Sequence, residues 1–223
     1  MDFGQSVTTL PIIGDFDRDG KPELAFLPWW NLIVADAQTG VFKDICRFTE
    51  GRSYGYFGVH DLDGDGKDEF VVEADFAKHV DVLGYRDGKL KLLWQNNIEL
   101  DISNPQTILR VNPDCVADVD GDGKREVLVC LCNANNDGRW RVMVHDGLTG
   151  KVKAELLDEY LSGVVDVNGD GACELLTTRT SGASVPEYGP IRVVSVKDGQ
   201  ARVLWESAEA GWQVWDKPMP LNI

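Results

Sequence analysis

Asp61-Leu62-Asp63-Gly64-Asp65-Gly66-Lys67-Asp68-Glu69 is the stretch on which the fold is decided. Oxygen-bearing side chains stand at its positions 1, 3, 5 and 9, and a glycine stands at position 6. Alternating Asp residues in a tight loop aim their carboxylates at a common centre. The glycine turns the chain at a point where a left-handed backbone costs it little. Position 7 then offers a backbone carbonyl, and the Glu at position 9 closes the shell with two oxygens. A hard cation taking six to eight oxygens fits this donor set, with calcium the first choice.

The stretch recurs three times. Asp15, Asp17, Asp19, Lys21 and Glu23 form the first copy by the same spacing. Asp118, Asp120, Asp122, Lys124 and Glu126 form the third. Asp166, Asn168, Asp170, Ala172 and Glu174 form the fourth, with a neutral oxygen ligand at Asn168. The predicted metal set therefore takes these residues together with Asp61, Asp63, Asp65, Lys67 and Glu69. Lys21, Lys67, Lys124 and Ala172 enter through their backbone carbonyls, for up to four Ca2+ ions. Positions 2 (Phe16, Leu62, Val119, Val167) and 10 (Leu24, Phe70, Val127, Leu175) are apolar in every copy. An EF-hand needs Glu at position 12, where this chain has Phe26, Val72, Val129 and Thr177. Calcium β-helix nonapeptides run back to back, whereas these loops start 46, 57 and 48 residues apart.

The net charge of −15 is local to the loops. Fifteen of the 37 acidic residues occupy ligand positions, and the remaining 22 balance the 22 Lys and Arg. Nothing in this distribution offers the basic face that a nucleic-acid partner requires. No apolar run is long enough to span a bilayer. The start of this sequence carries no signal-peptide pattern. The five cysteines, Cys46, Cys115, Cys130, Cys132 and Cys173, are too irregular for a disulfide framework and read as small buried apolar residues. His60, His79 and His145 are scattered, and no Ser-His-Asp set or paired carboxylates stand outside the loops.

Short apolar strands flank each loop, and a hairpin follows. Asn31 to Asp36 turns through residues 37–40 into Val41 to Phe48, and His79 to Arg86 turns at Asp87-Gly88 into Lys89 to Gln95. Asp146 to Gly150 echoes the first turn, and Asp198-Gly199 the second. Residues 96–113, with Asn104-Pro105 and Asn112-Pro113, read as a loop insertion. The stretch with Pro186 and Pro190 reads as a polar loop. Units of four strands repeating at this spacing predict an all-β fold of propeller blades. The expected blades cover about 1–50, 51–97, 111–158 and 159–206, with 207–223 starting a further blade or closing strand. Trp94 and Trp205 end equivalent strands and are expected to pack between blades. Trp29-Trp30, Trp212 and Trp215 do not repeat.

These loops, with Phe57-Gly58 ahead of the second, resemble the FG-GAP/VCBS repeats also found in integrin alpha subunits. Only Gly14 and Gly163 keep part of the Phe-Gly signature elsewhere, and Cys115-Val116-Ala117 keeps neither residue. The resemblance implies an arc of a seven- or eight-bladed propeller, or else a closed ring of four blades. It implies a non-catalytic, calcium-binding scaffold for a protein or carbohydrate ligand, extracellular, at the cell surface or periplasmic. The alternative it implies is the propeller domain of a calcium-dependent secreted polysaccharide lyase or hydrolase.

Overall fold

A computed structural model describes residues 11–48, 53, 55–74, 79–97, 107–110, 116–133, 137–181 and 187–210. The first sheet holds β1 (Ile12–Gly14), β2 (Glu23–Phe26), β3 (Asn31–Asp36) and β4 (Phe42–Arg47). The second holds β5 (Gly55–His60), β6 (Glu69–Ala74), β7 (His79–Arg86) and β8 (Lys89–Asn97). In the third are β9 (Thr107–Arg110), β10 (Val116–Ala117), β11 (Glu126–Asn133), β12 (Trp140–Asp146) and β13 (Val152–Leu157). The fourth holds β14 (Glu159–Val165), β15 (Glu174–Ser181), β16 (Glu187–Ser195) and β17 (Arg202–Ala210). Strands follow chain order within each sheet, all pairs are antiparallel, and the four sheets are propeller blades, as the repeat predicts.

Several boundaries differ from expectation. Within the stretch read as a loop insertion, β9 pairs with β11 through Cys130↔Arg110 to Asn133↔Thr107. Two described segments, β9 and β10, therefore stand at the first-strand position of the third blade. β16 begins at Glu187, inside the stretch read as a polar loop, because Tyr188 pairs with Thr180. Pro190 is accommodated where the register with β17 slips. β17 runs to Ala210 and so takes in the first residues of the proposed further blade; Trp212 and Trp215 lie outside the described residues.

Two compact units divide the chain, residues 1–99 and 100–223, and each contains two blades. In the first, Phe16 at position 2 of loop one packs edge-on against Phe70 at position 10 of loop two, centroids 4.9 Å apart. Leu32, Val34, Val72 and Tyr85 complete that core. In the second unit Val119 and Leu175 hold the equivalent places, beside Trp140, Val142 and Leu161. The apolar residues beside the predicted ligand positions thus join two blades in each unit. Cys130 and Cys132 are buried on β11, Cys46 and Cys173 are half-buried, and none of these four is in a disulfide. Cys115 lies outside the described residues. Trp94 is 8% exposed but Trp205 is 54% exposed, so the expected packing role fails for Trp205. Both tryptophans hold the same register (Val82↔Trp94, Val193↔Trp205), but burial depends on what covers the fourth strand, which a repeat does not encode.

Candidate metal centres

Each loop joins the first and second strands of a blade, so alternation of direction puts it at the same end as the turn between strands three and four. Within the loops the carboxylate oxygens divide their work. At least one oxygen of each acid accepts a loop N–H, and at position 1 of loops two to four both do. Gly66 N donates to Asp61 Oδ2 (2.9 Å), Asp65 N to Asp63 Oδ1 (2.9 Å) and Lys67 N to Asp65 Oδ1 (2.8 Å). The third loop repeats this through Gly123 N to Asp118 Oδ2 (2.8 Å), Asp122 N to Asp120 Oδ1 (3.1 Å) and Lys124 N to Asp122 Oδ1 (2.8 Å). In the first loop Gly20, Asp19 and Lys21 donate to Asp15, Asp17 and Asp19. In the fourth, Gly171, Asp170 and Ala172 donate to Asp166, Asn168 and Asp170.

The Glu at position 9 is buried and closes each loop from below. Its Oε2 accepts the position-2 N–H: Phe16 to Glu23 at 2.9 Å, Leu62 to Glu69 at 2.8 Å, Val119 to Glu126 at 2.9 Å and Val167 to Glu174 at 3.1 Å. Burial pushes the Glu69 and Glu126 carboxyls up from their usual values, against the pull of these N–H groups. In the fourth loop the Gly171 N–H, ahead of burial's opposing effect, holds the Asp166 carboxyl below its ordinary value.

Carboxylate oxygens of three acids also converge in each of the first three loops. Ligand atoms of Asp15, Asp17 and Asp19 lie within 4.8 Å of one another, as do those of Asp61, Asp63 and Glu69 and those of Asp118, Asp120 and Asp122. All are hard carboxylate oxygens, the donor type for calcium. Asp15 Oδ1 is buried with no hydrogen-bond partner. In the other loops the matching oxygen accepts the N–H of a glycine at position 4, as Gly64 donates to Asp61 (2.7 Å). Loop one has Arg18 there, at φ 61°. An orphaned buried carboxylate oxygen is costly unless a cation meets it. The residues present therefore fit a divalent ion in loops one to three. In loop four Asn168 Nδ2 donates to Glu174 Oε1 (2.9 Å), which consumes an oxygen the ion would need.

A side-chain cation that the sequence reading missed reaches every loop. Arg86 pairs with Glu69 and lies 3.4 Å from Asp65 Oδ2 and 3.8 Å from Asp63 Oδ2. Lys153 pairs with Asp120, lies 2.9 Å from Glu126 Oε1 and 3.7 Å from Asp122 Oδ2. Lys43 pairs with Glu23, and Lys197 with Asp170. Burial opposes the charge on Lys153, but the Asp120 and Glu126 carboxylates outweigh it and raise the ammonium well above its usual value. The loops also touch within each unit. Arg18 Nε donates to Gly66 O, and Cys173 N donates to Asp118 O at 2.7 Å.

The opposite ends of the blades carry different chemistry. Asp158, Arg179, Thr180, Ser181, Tyr188 and Pro190 line an open cleft of about 510 Å³ beside the fourth blade. Arg139 grips Asp158 with two hydrogen bonds, Nε to Oδ1 measuring 2.8 Å. Tyr188 stacks edge-on against Tyr160 at 5.6 Å. In the second blade His79 Nδ1 lies 2.8 Å from Asp81 Oδ1, and Gln95 Nε2 donates to that oxygen at 2.9 Å. The His-x-Asp spacing on one strand face was the signal for that pair, which the sequence reading passed over.

No family model matches the chain, and no curated protein matches it. Among solved structures it is similar to an Agrocybe aegerita lectin that recognises non-reducing terminal N-acetylglucosamine, at 14% identity and TM-score 0.42, over 89% of this chain and 52% of the lectin. BamB from Moraxella catarrhalis aligns at 11% identity and TM-score 0.42, over 93% of this chain and 66% of BamB. The rhamnogalacturonan lyase YesW aligns at 16% identity and TM-score 0.42, over 94% of this chain and 55% of the lyase. The chain thus spans about half the length of the lectin and the lyase.

Proposed function

We propose that this chain is a calcium-stabilised blade module that acts as a non-catalytic scaffold, with loops one to three holding the ions. The observation that carries the reading is the convergence of carboxylate oxygens: in each of loops one to three, oxygens of three acids lie within 4.8 Å of one another, and in loop one the buried Asp15 Oδ1 has no hydrogen-bond partner. Asp15, Asp17, Asp19 and Glu23 would hold one ion, Asp61, Asp63, Asp65 and Glu69 a second, and Asp118, Asp120, Asp122 and Glu126 a third. Asp166, Asn168, Asp170 and Glu174 make a weaker fourth set. The carbonyls of Lys21, Lys67, Lys124 and Ala172 are the position-7 candidates. A bound ion supplies charge neutralisation and pins the turn that joins two strands. Each site adds about 2.7 kcal/mol at a hundredfold excess of ion over its dissociation constant.

Modules of this kind outside cells bind calcium at about 10⁻⁴ to 10⁻³ M, which suits an extracellular, surface or periplasmic setting. Among the described residues no helix is long and apolar enough to cross a membrane. The cleft at Asp158, Arg179 and Tyr188 lies at the end of its blade away from the metal loop, where a protein or carbohydrate ligand can dock without disturbing the ions. Hydrogen-bonding groups flank an aromatic ring there, a mixture that suits a polyhydroxylated or peptide surface.

Thermal unfolding with calcium and with chelator tests the reading. Calcium should raise Tm and chelator lower it. Asp61→Ala should remove one site from a calorimetric titration, and Asp68→Ala, at a non-ligand position, should remove none. A Tm indifferent to both additions, with no binding heat, would sink it.

A further inference from the structure

We propose that Lys43, Arg86, Lys153 and Lys197 are tethered counter-cations that share the loop oxygens with the metal, so that calcium entry is an exchange of one cation for another. This inference rests on the metal reading above. Its support lies in the fold, because two different hairpin geometries deliver the same charge to the same place.

In the first and third blades the cation stands three residues after the turn glycine: Gly40 and Lys43, Gly150 and Lys153. The pairing of β3 with β4 skips from Val34↔Asp44 to Ala35↔Phe42, leaving Lys43 as the extra residue of a β-bulge. The pairing of β12 with β13 skips from Val144↔Ala154 to His145↔Val152, leaving Lys153 as the extra residue. A bulge re-aims its extra side chain. In the second and fourth blades the cation stands two residues before the turn glycine: Arg86 and Gly88, Lys197 and Gly199. There the bulges fall elsewhere, at Leu93 and Leu204, and the charge comes from the end of the third strand (Arg86) or the first residue of the turn after it (Lys197). An accidental surface ion pair has no reason to recur four times by two routes.

The exchange grades the sites. Lys153 and Arg86 each meet three carboxylates, so an ion entering loop three or loop two displaces a well-held cation. Among the described residues Lys43 forms an ion pair with Glu23, with Asp17 acting only through longer-range charge, and loop one keeps the orphaned Asp15 Oδ1. Loop one should therefore fill first, loops two and three next, and loop four last.

Calorimetric calcium titration of the full chain, paired with Tm in chelator, tests this on wild type, Lys153→Met and Lys153→Arg. Removing a unit charge about 5 Å from a divalent ion in water should tighten calcium roughly tenfold at that loop. Lys153→Met should also lower the metal-free Tm, and Lys153→Arg should restore both values toward wild type. A Lys153→Met chain that folds only with calcium would equally support exchange. If it folds in neither state, Lys43→Met decides, with a smaller tightening expected at loop one. Unchanged or weaker calcium binding in the folded Met variant would overturn the counter-cation role while leaving the metal reading intact. Absence of binding in wild type and variants alike would overturn both.

Discussion

In the first and third blades the turn between strands three and four folds back on the acidic loop: Ala37 N donates to Pro22 O and Gly147 N to Arg125 O, each at 3.1 Å. Asp36 and Asp146 organise those turns, each accepting from the N–H and hydroxyl of the Thr three residues on. The second and fourth blades use shorter turns instead. Asp87 and Gly88 both have positive φ (55° and 72°), and Lys197–Gly199 forms a single 3-10 turn. These blades carry an added bulge in their first strand, at residue 57 and at residue 162, just ahead of Gly58 and Gly163. The chain therefore alternates two blade types, and its two compact units are two copies of one pair. The difference teaches that an acidic loop specifies a need for positive charge but not its source. The turn chosen for the hairpin decides which strand meets that need.

The sharpest way to break this comparison is at position 9. In chelator, Glu126→Ala strands the Val119 N–H and removes a partner of Lys153, and should cost about 3 kcal/mol in urea unfolding. Glu174→Ala frees only the Val167 N–H and the Asn168 amide, and should cost about 1 kcal/mol. Equal losses would mean that the tethered cation adds nothing to the third blade.

Turn chemistry gives a smaller effect with a clear split by blade type. Thr39→Ala and Thr149→Ala should each lose about 1 kcal/mol, because each removes a hydroxyl that donates to the turn Asp and accepts the N–H two residues on. Their counterpart in the second blade is Gly88→Ala, also about 1 kcal/mol, for forcing a side chain into a left-handed backbone. Thermal melts of all three variants would show whether the two turn types bear similar loads.

The smallest effect distinguishes the first and third blades from each other. His145 occupies the place of Ala35, and its Nδ1 lies 3.2 Å from Gly150 O. Burial lowers its pKa, and the Gly150 carbonyl only partly opposes this. A histidine buried neutral contributes fully above its unfolded value near 6.5, and that stability is lost as pH falls from there through the lowered folded value. Between pH 7.5 and 5.5, wild type should lose roughly 0.5–1 kcal/mol more than His145→Ala. Identical pH profiles would show that His145 does not distinguish the blades.

Much of this was legible in the residues. The loops, the glycines at their turns, the hairpins at Asp87-Gly88 and Asp146 to Gly150, and the apolar positions beside the ligands follow from local chemistry. The tethered cations were not legible, because a bulge shows only when two strands are paired and one residue is left over. The first piece of the third blade's opening strand was hidden for a similar reason. Asn104-Pro105 and Asn112-Pro113 mark turns convincingly, yet β9 between them finds its partner on β11. Trp205 looked like Trp94 in the chain and differs in burial.

The amino-acid order by itself determined the four acidic loops, the strand alternation and the blade repeat, since each depends on neighbours within a few residues. Which cation meets which loop, which aromatics face water and where a cleft opens at the far end of the fourth blade were decided only by tertiary structure. Those features join residues tens of positions apart, and short-range backbone preferences carry no information about such distances.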